Sequence, residues 1–245
     1  MFRIYAIIFL GIISSLSAFA QVNEQNIKEV LFKRETSGFF SANSNGVGFG
    51  YRSGKFLTGY KLRTIEYSFC NVRDLKQIKT INQYQGAKSY FYGKLIYFYS
   101  TRVLYGIQKT ITTKPYWGGV EIRTLVLGGA NLGIGKPIYL YVIKTDDHNR
   151  IALEKYEEDK FLQQDIYGKG PFSKGFKELQ FYSGISLKAA INVEFGIETE
   201  LARSFETGFI VDGFLKPVQI MAFSPEKYIM FNIYLSYHFG KRFNP

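Results

Sequence analysis

Two histidines and one cysteine limit the catalytic chemistry that this chain of 245 residues could perform. His238 follows Ser236 by two positions, and a serine with a histidine and a carboxylate forms the nucleophilic group of many hydrolases. Along one β-strand, however, such positions lie roughly 6–7 Å apart, which is too far for a direct hydrogen bond. A lipid-hydrolysing enzyme is therefore kept as an alternative, and the sequence favours a protein without catalytic residues.

Metal and cofactor chemistry has weaker support in the sequence. Asp146, Asp147 and His148 could bind a metal ion, but acidic loops are usually solvated, and no second group of ligands with a recognisable spacing accompanies them. Cys70 has no CxxC neighbour and is interpreted as a structural thiol. The sequence predicts neither a metal nor a cofactor.

The dominant pattern in the chain is an alternation of apolar and polar residues. In residues 180–198 the odd positions are almost all apolar, whereas the even positions carry most of the Gly, Asn, Lys and Glu residues. The same alternation returns in residues 118–132, 204–212 and 231–239. A helix cannot produce a period of two, so the chain is predicted to be all-β.

The composition of the two faces indicates which of them lies inside. A soluble barrel or sandwich turns its apolar face inward, whereas a membrane barrel turns it outward to lipid. The polar faces here are rich in small residues, which suit a crowded interior, and several segments exceed the roughly 5–6 residues of an average strand and reach the 9–11 of a spanning strand. The sequence favours an antiparallel up-and-down transmembrane β-barrel over a soluble periplasmic β-domain. The residues predicted to face lipid are Ile185, Leu187, Ile191, Val193, Phe205, Phe209, Ile233 and Leu235.

The polar faces also carry charges of both signs, which a barrel would point into its lumen. Mixed signs favour mutual pairing, because an unpaired charge in a narrow and poorly hydrated interior is costly. The sequence therefore predicts a structural network of polar groups that occludes the lumen, with a charge-lined path for a solute as the alternative. The charged residues predicted to face inward are Glu121, Arg123, Lys188, Glu194, Glu198, Glu206 and Asp212.

Ten candidate strands are predicted, of which residues 26–36 alternate poorly, and eight strands remain an alternative because the phase of residues 88–112 is unclear. Bacterial barrels have short periplasmic turns and longer external loops. The predicted strands are residues 26–36, 41–52, 55–69, 88–99, 103–112, 118–131, 137–144, 180–197, 200–213 and 228–240. The predicted periplasmic turns are residues 53–54, 100–102, 132–136 and 198–199. The predicted external links lie near residues 70–87, 145–179 and 214–227.

Residues 1–20 have the features of a secretory signal peptide, which would leave residues 21–245 as the barrel domain. Arg3 precedes an apolar stretch, and residues 18–20 (AFA) have the small-x-small pattern of a cleavage site. The chain contains 31 Lys and Arg against 20 Asp and Glu. An exported chain with this excess of positive charge is expected to meet anionic lipid headgroups or glycans, and not nucleic acid.

Three stretches resemble the outer-membrane β-barrel proteins that are common in Bacteroidetes. They are residues 89–95 (SYFYGKL), residues 119–123 (GVEIR) with their continuation to residue 137, and residues 234–243 (YLSYHFGKRF). The resemblance implies a barrel in the outer membrane, and it carries over no catalytic residue.

These features predict an integral outer-membrane β-barrel with a narrow or occluded lumen, which acts through its external loops or as a structural element of the envelope. The expected partners are outer-membrane lipids including lipopolysaccharide, together with an envelope protein or glycan that the loop 145–179 would bind. The alternatives are a lipid-hydrolysing enzyme, a narrow solute channel and an accessory of a secretion complex.

Overall fold

The structure is a computed structural model that describes residues 32–84, 86–114, 119–144, 150–157, 165–196, 198 and 200–244. The predicted signal peptide lies outside the described residues, as do Asp146, Asp147 and His148. In the part of the chain that the structure describes, no helix has the length and apolar composition of a membrane span.

Thirteen strands and one short 3-10 turn, Phe176–Glu178, are found among the described residues. Alternating apolar and polar side chains produce most of the long ones, because successive residues of a strand point to opposite faces. The strands are β1 (Arg34–Asn43), β2 (Gly46–Thr58), β3 (Lys61–Val72), β4 (Lys79–Thr80), β5 (Tyr90–Phe91), β6 (Ile96–Thr112), β7 (Glu121–Pro137), β8 (Tyr139–Lys144), β9 (Arg150–Lys155), β10 (Ile166–Lys169), β11 (Gln180–Phe195), β12 (Leu201–Val218) and β13 (Lys227–Phe243).

Eight of these strands form a closed antiparallel barrel in the order β1-β13-β12-β11-β7-β6-β3-β2. Each pairs with the barrel strand that precedes or follows it in the chain, and β1 closes the ring against β13 with Phe39 opposite His238. Closure satisfies the backbone hydrogen-bonding groups that an open sheet would leave at its edges. The prediction of an all-β antiparallel up-and-down barrel is confirmed. The barrel has eight strands, the number given above as the alternative to ten.

The count of ten strands is wrong because small residues inside strands were interpreted as turns. Residues 53–54, 100–102 and 132–136 lie within β2, β6 and β7. Gly133 shows the physical reason, since a Cβ atom at this position would lie 2.5 Å from the Phe98 ring. Its glycine leaves room for packing and does not end a strand. The predicted strand 137–144 corresponds to β8, which leaves the barrel. Of the predicted strand 26–36, residues 34–36 belong to β1, and residues 26–31 lie outside the described residues.

The connections divide the barrel into two unlike rims. At the rim where β1 begins and β13 ends, here called the terminal rim, the connections are residues 59–60, 113–120 and 196–200. At the opposite rim, here called the loop rim, a two-residue turn is joined by the link 219–226 and by two much longer links, residues 73–95 and 138–179. The two longest links therefore lie at the same end of the barrel.

The long links at the loop rim fold into a cap with its own small core. Strands β10, β8 and β9 form a three-stranded sheet, and β4 pairs with β5. Tyr90, Leu140, Val142, Tyr156 and Ile166 are buried together beneath them. The described residues of the cap therefore share a hydrophobic core of their own.

Candidate functional site

The outward face of the barrel is apolar and exposed. Ile185 and Leu187 are 70% and 61% exposed, and Val193 is half-buried. The other positions predicted to face lipid are also exposed; they are Ile191, Phe205, Phe209, Ile233 and Leu235. An apolar groove of about 640 Å³ crosses this face beside Phe40, Phe49 and Leu235.

Four charged side chains from four strands form a central cluster in the barrel interior. The Nη1 atom of Arg52 on β2 lies 2.6 Å from Glu206 Oε2 on β12, and its Nη2 lies 2.5 Å from Glu66 Oε2 on β3. Lys188 Nζ on β11 lies 2.6 Å from Glu66 Oε1 and 3.1 Å from Glu206 Oε1. Tyr234 donates its hydroxyl to Glu206 Oε1 at 2.8 Å. Two cations and two anions neutralise each other while almost wholly buried.

A second network, here called the rim network, lies in the interior near the terminal rim. Arg123 Nη2 lies 2.9 Å from Glu194 Oε2, and Arg123 Nη1 lies 3.0 Å from Glu35 Oε2. Arg123 Nε also donates to Glu121 Oε1 at 2.5 Å. Arg242 pairs with both Glu35 and Glu194, and Lys114 Nζ lies 2.7 Å from Glu194 Oε1. Three cations and three carboxylates therefore tie together strands β1, β7, β11 and β13.

A third ion pair and an aromatic layer fill the interior toward the loop rim. Arg102 Nε and Nη2 donate to the two oxygens of Asp212 at 2.8 and 2.6 Å, and Ser186 also donates to Asp212. Beyond this pair, the ring of Phe98 packs edge-on against Phe214 at 5.5 Å. Cys70, Val72, Tyr182 and Met230 complete this apolar cluster.

The side chains of these layers occupy the described interior of the barrel. A cavity lined by Glu66, Arg102 and Lys188 holds about 10 Å³, which is close to the minimum for a single water molecule. Buried charges are costly unless they are paired, and the carboxylates of the central cluster each contact two cations. The arrangement can hold strands together, but it offers no wide path for a solute.

The residues predicted to face inward fall into these layers with one exception. Lys188 and Glu206 lie in the central cluster, Asp212 pairs with Arg102, and the rim network contains Glu121, Arg123 and Glu194. The prediction for Glu198 is wrong, because this residue is exposed in the link between β11 and β12.

Sequence reasoning missed six further charged members of these networks, which are Glu35, Arg52, Glu66, Arg102, Lys114 and Arg242. Arg52 and Arg102 lie beside or within the segments that were taken for turns. The sequence did contain a signal for Arg52, because Gly48, Gly50 and Arg52 occupy alternate positions of β2 and therefore lie on the same face of the strand.

Ser236 and His238 lie closer together than the spacing along a strand suggested. Ser236 Oγ is 3.0 Å from His238 Nε2, so the estimate that they could not form a hydrogen bond is wrong. Glu206 Oε1 lies 3.7 Å from the same nitrogen, whereas Nδ1 has no hydrogen-bond partner among the described residues. In a catalytic triad, the serine and the carboxylate contact different nitrogens of the histidine ring, whereas here both lie on the side of Nε2. The group also faces the closed interior, and the ring of His238 stacks on Phe39 at 4.6 Å.

Lysine side chains attach the cap to the outer surface of the loop rim. The ammonium groups of Lys94 and Lys136 lie over the ring of Tyr97, at 4.6 and 5.5 Å from its centroid. Lys136 Nζ also lies 3.5 Å from the ring centroid of Phe172. Burial, together with the charges of Arg73 and Lys169, lowers the pKa of Lys94 to about 8. Cation–π contacts therefore replace carboxylates as the partners of these lysines.

The described residues contain no group of three His, Cys, Asp or Glu side chains that could hold a metal ion. The carboxylates of the barrel interior form ion pairs with arginine and lysine side chains.

Comparison with known proteins gives a loose structural likeness. No protein-family model and no curated protein sequence matches the chain. Among solved structures, Neisserial surface protein A is similar at 9% identity and a TM-score of 0.45, covering 86% of this chain and 96% of that one. Ail, the attachment invasion locus protein of Yersinia pestis, is similar at 11% identity and a TM-score of 0.39, with the same coverage. The N-terminal β-barrel domain of Pseudomonas aeruginosa OprF shows 12% identity and a TM-score of 0.39, covering 84% and 96%. The fold described above follows from the strand pairing of the chain itself.

Proposed function

We propose that the chain is an integral outer-membrane β-barrel with an occluded lumen, and that it acts through its surfaces. The observation that carries this proposal is the set of paired charges and aromatic rings that fills the barrel from one rim to the other. A barrel filled in this way leaves the outer wall and the two rims as the surfaces available for binding.

The distribution of side chains supports a location in a lipid bilayer. A water-soluble barrel would bury its aliphatic residues, whereas this one exposes them around its wall and holds paired charges in its interior. The proposed lipid-facing residues include Ile185, Leu187 and Leu235. The signal peptide proposed for residues 1–20 supports export to the outer membrane. The resemblance to the Bacteroidetes barrels stays a prediction.

Fractionation of cells that express the full chain tests this location. We expect the protein in the outer-membrane fraction, soluble only with detergent, and resistant to alkaline extraction. Recovery of the folded protein from the periplasm without detergent would contradict the proposal.

The occluded lumen distinguishes this protein from a solute channel. In planar bilayers, we expect no discrete conductance steps after insertion of the purified protein. Insertion has to be verified on the same preparation by protease protection, so that an absence of conductance steps cannot result from a failure of the protein to insert. Reproducible single-channel steps would overturn the occluded lumen.

The orientation follows from the connections, because outer-membrane barrels place short turns in the periplasm and long loops outside. The cap at the loop rim would then face the exterior and provide the surface for lipopolysaccharide or for an envelope protein or glycan. Labelling of whole cells with a membrane-impermeant maleimide tests this orientation. We expect labelling of Lys76→Cys in the cap and none of Tyr60→Cys at the terminal rim, while buried Cys70 stays unreactive. Labelling in the reverse pattern would contradict the orientation.

Binding to lipopolysaccharide tests the proposed partner. We expect the purified protein to retain lipopolysaccharide through exposed cap lysines. The substitutions Lys76→Gln, Lys79→Gln and Lys177→Gln should therefore weaken retention. Equal retention by the substituted and the unchanged protein would exclude the cap lysines as the binding site.

A further inference from the structure

Basic side chains surround the outer wall of the barrel close to the terminal rim. Each is exposed, faces outward, and lies within four residues of the end of its strand at this rim. Among the described barrel strands, no acidic side chain faces outward, because all their carboxylates point into the interior. The residues of this group, here called the basic band, are Arg34, Lys55, Lys61, Arg63, Lys109, Arg203 and Lys241.

Strand register places members of the basic band directly beside one another. Arg34 is opposite Lys55, and Lys55 is opposite Arg63 on the next strand. Lys61 is opposite Lys109. Like charges directly opposite each other on neighbouring strands are destabilising. None of the seven forms an ion pair with a carboxylate of the described residues, so no described carboxylate neutralises the repulsion.

The position of the basic band suits one kind of anion. Toward the loop rim, the next outward residues on four of the six strands are apolar; they are Ile65, Ile107, Phe205 and Phe239. A cation at the edge of an apolar wall lies where the headgroups of a bilayer meet its acyl chains, and long basic side chains reach that level readily. The band also spans six strands, which is more than a single small anion could contact at once.

We infer that the basic band binds the phosphate groups of anionic glycerophospholipids in the leaflet at the terminal rim. This inference rests on the proposed membrane location. Arginine presents a planar fork of donors that matches phosphate, and lysine adds a mobile charge. Headgroup phosphates would lie between Arg34, Lys55 and Arg63 and would neutralise their mutual repulsion. The barrel would in this way select its surrounding lipids.

Lipid selection by the reconstituted full chain tests the inference. The protein is placed in nanodiscs of phosphatidylethanolamine, with or without phosphatidylglycerol, and the association of a spin-labelled phosphatidylglycerol is compared with that of a spin-labelled phosphatidylethanolamine. We expect a several-fold preference for phosphatidylglycerol that weakens as salt is added. The variant Arg34→Gln/Lys55→Gln/Arg63→Gln should lose most of this preference.

Two control variants keep the test decisive. Lys76→Gln/Lys79→Gln/Lys177→Gln removes the same number of exposed charges from the cap and should keep the preference. Arg34→Lys/Arg63→Lys keeps the charge of the band and should also keep it. The salt dependence of the unchanged protein supplies a readout even if the glutamine variant does not fold.

Two results would overturn the inference. One is an inserted barrel that shows no preference for phosphatidylglycerol, or the same preference after the three glutamine substitutions. The other is full competition by millimolar inorganic phosphate, which would identify a site for a free anion. A protein that does not enter bilayers at all would instead contradict the proposed function, so the two failures are distinguishable.

Discussion

Arg52 and Glu206 are separated by 154 positions in the chain, yet Arg52 donates to both carboxylate oxygens of Glu206, at 2.6 and 2.8 Å. This bidentate contact crosses the barrel interior from β2 to β12, which are not neighbours in the ring. Because Glu206 also contacts Lys188 and Tyr234, one carboxylate connects four strands. The interior contacts thus add direct links across the lumen to the hydrogen bonds around its wall.

Removal of the Glu206 carboxylate should strongly destabilise the barrel. In Glu206→Ala, Arg52 and Lys188 would share the single carboxylate of Glu66, which leaves one buried positive charge without a counter-charge. Breaking a buried pair in this way costs about 3–5 kcal/mol. Urea unfolding in lipid vesicles measures the loss. Glu200→Ala is the matched control, since this residue is exposed in the link between β11 and β12, and its unfolding free energy should stay within about 0.5 kcal/mol.

The pair of Arg102 and Asp212 should show a large coupling energy. Arg102→Met leaves the Asp212 carboxylate buried with only the Ser186 hydroxyl as a described partner, and Asp212→Leu leaves the Arg102 guanidinium buried. Each single substitution should cost more than the double substitution, because apolar groups of similar volume can replace a buried pair at little cost. Unfolding free energies of the four proteins give the coupling. Additive effects would contradict a direct interaction.

Glycines of the barrel should differ sharply in their tolerance of a methyl group. A Cβ atom at Gly129 would lie 2.1 Å from the backbone oxygen of Val103, whereas at Gly213 the nearest atom would be 3.9 Å away. Gly129→Ala therefore requires the backbone to shift and should cost roughly 1–3 kcal/mol, as overpacking does. Gly213→Ala should leave the unfolding free energy almost unchanged. Similar losses in both variants would show that strand propensity, not space, determines the effect.

The sequence was sufficient for the barrel and for part of its interior. A period of two identifies strands wherever both faces are distinct, as around Lys188 and Glu206. It fails where a strand carries small or polar residues on both faces, as around Arg102, or where glycines leave room for neighbouring side chains, as at Gly133. Contacts such as Arg52 with Glu206 could not be predicted, because they depend on which strands face each other across the lumen. That relationship is set by barrel closure and strand tilt, which no local pattern records.

The stability of the cap should increase when the pH rises above about 8. Lys94 is buried, its ammonium donates to Gln77 Oε1 at 2.6 Å, and burial followed by the charges of Arg73 and Lys169 lowers its pKa from 10.5 to about 8. Between these two values the unfolded cap binds more protons than the folded cap, so the free energy of unfolding rises with pH in this window. Limited proteolysis of residues 73–95 across that range measures the effect, with a protease calibrated on an unfolded peptide at each pH. Lys94→Met should remove this component, whereas Lys79→Met, at an exposed position, should retain it. A cap that becomes easier to cleave with rising pH in the unchanged protein would show that the charged form of Lys94 is the one that the fold stabilises.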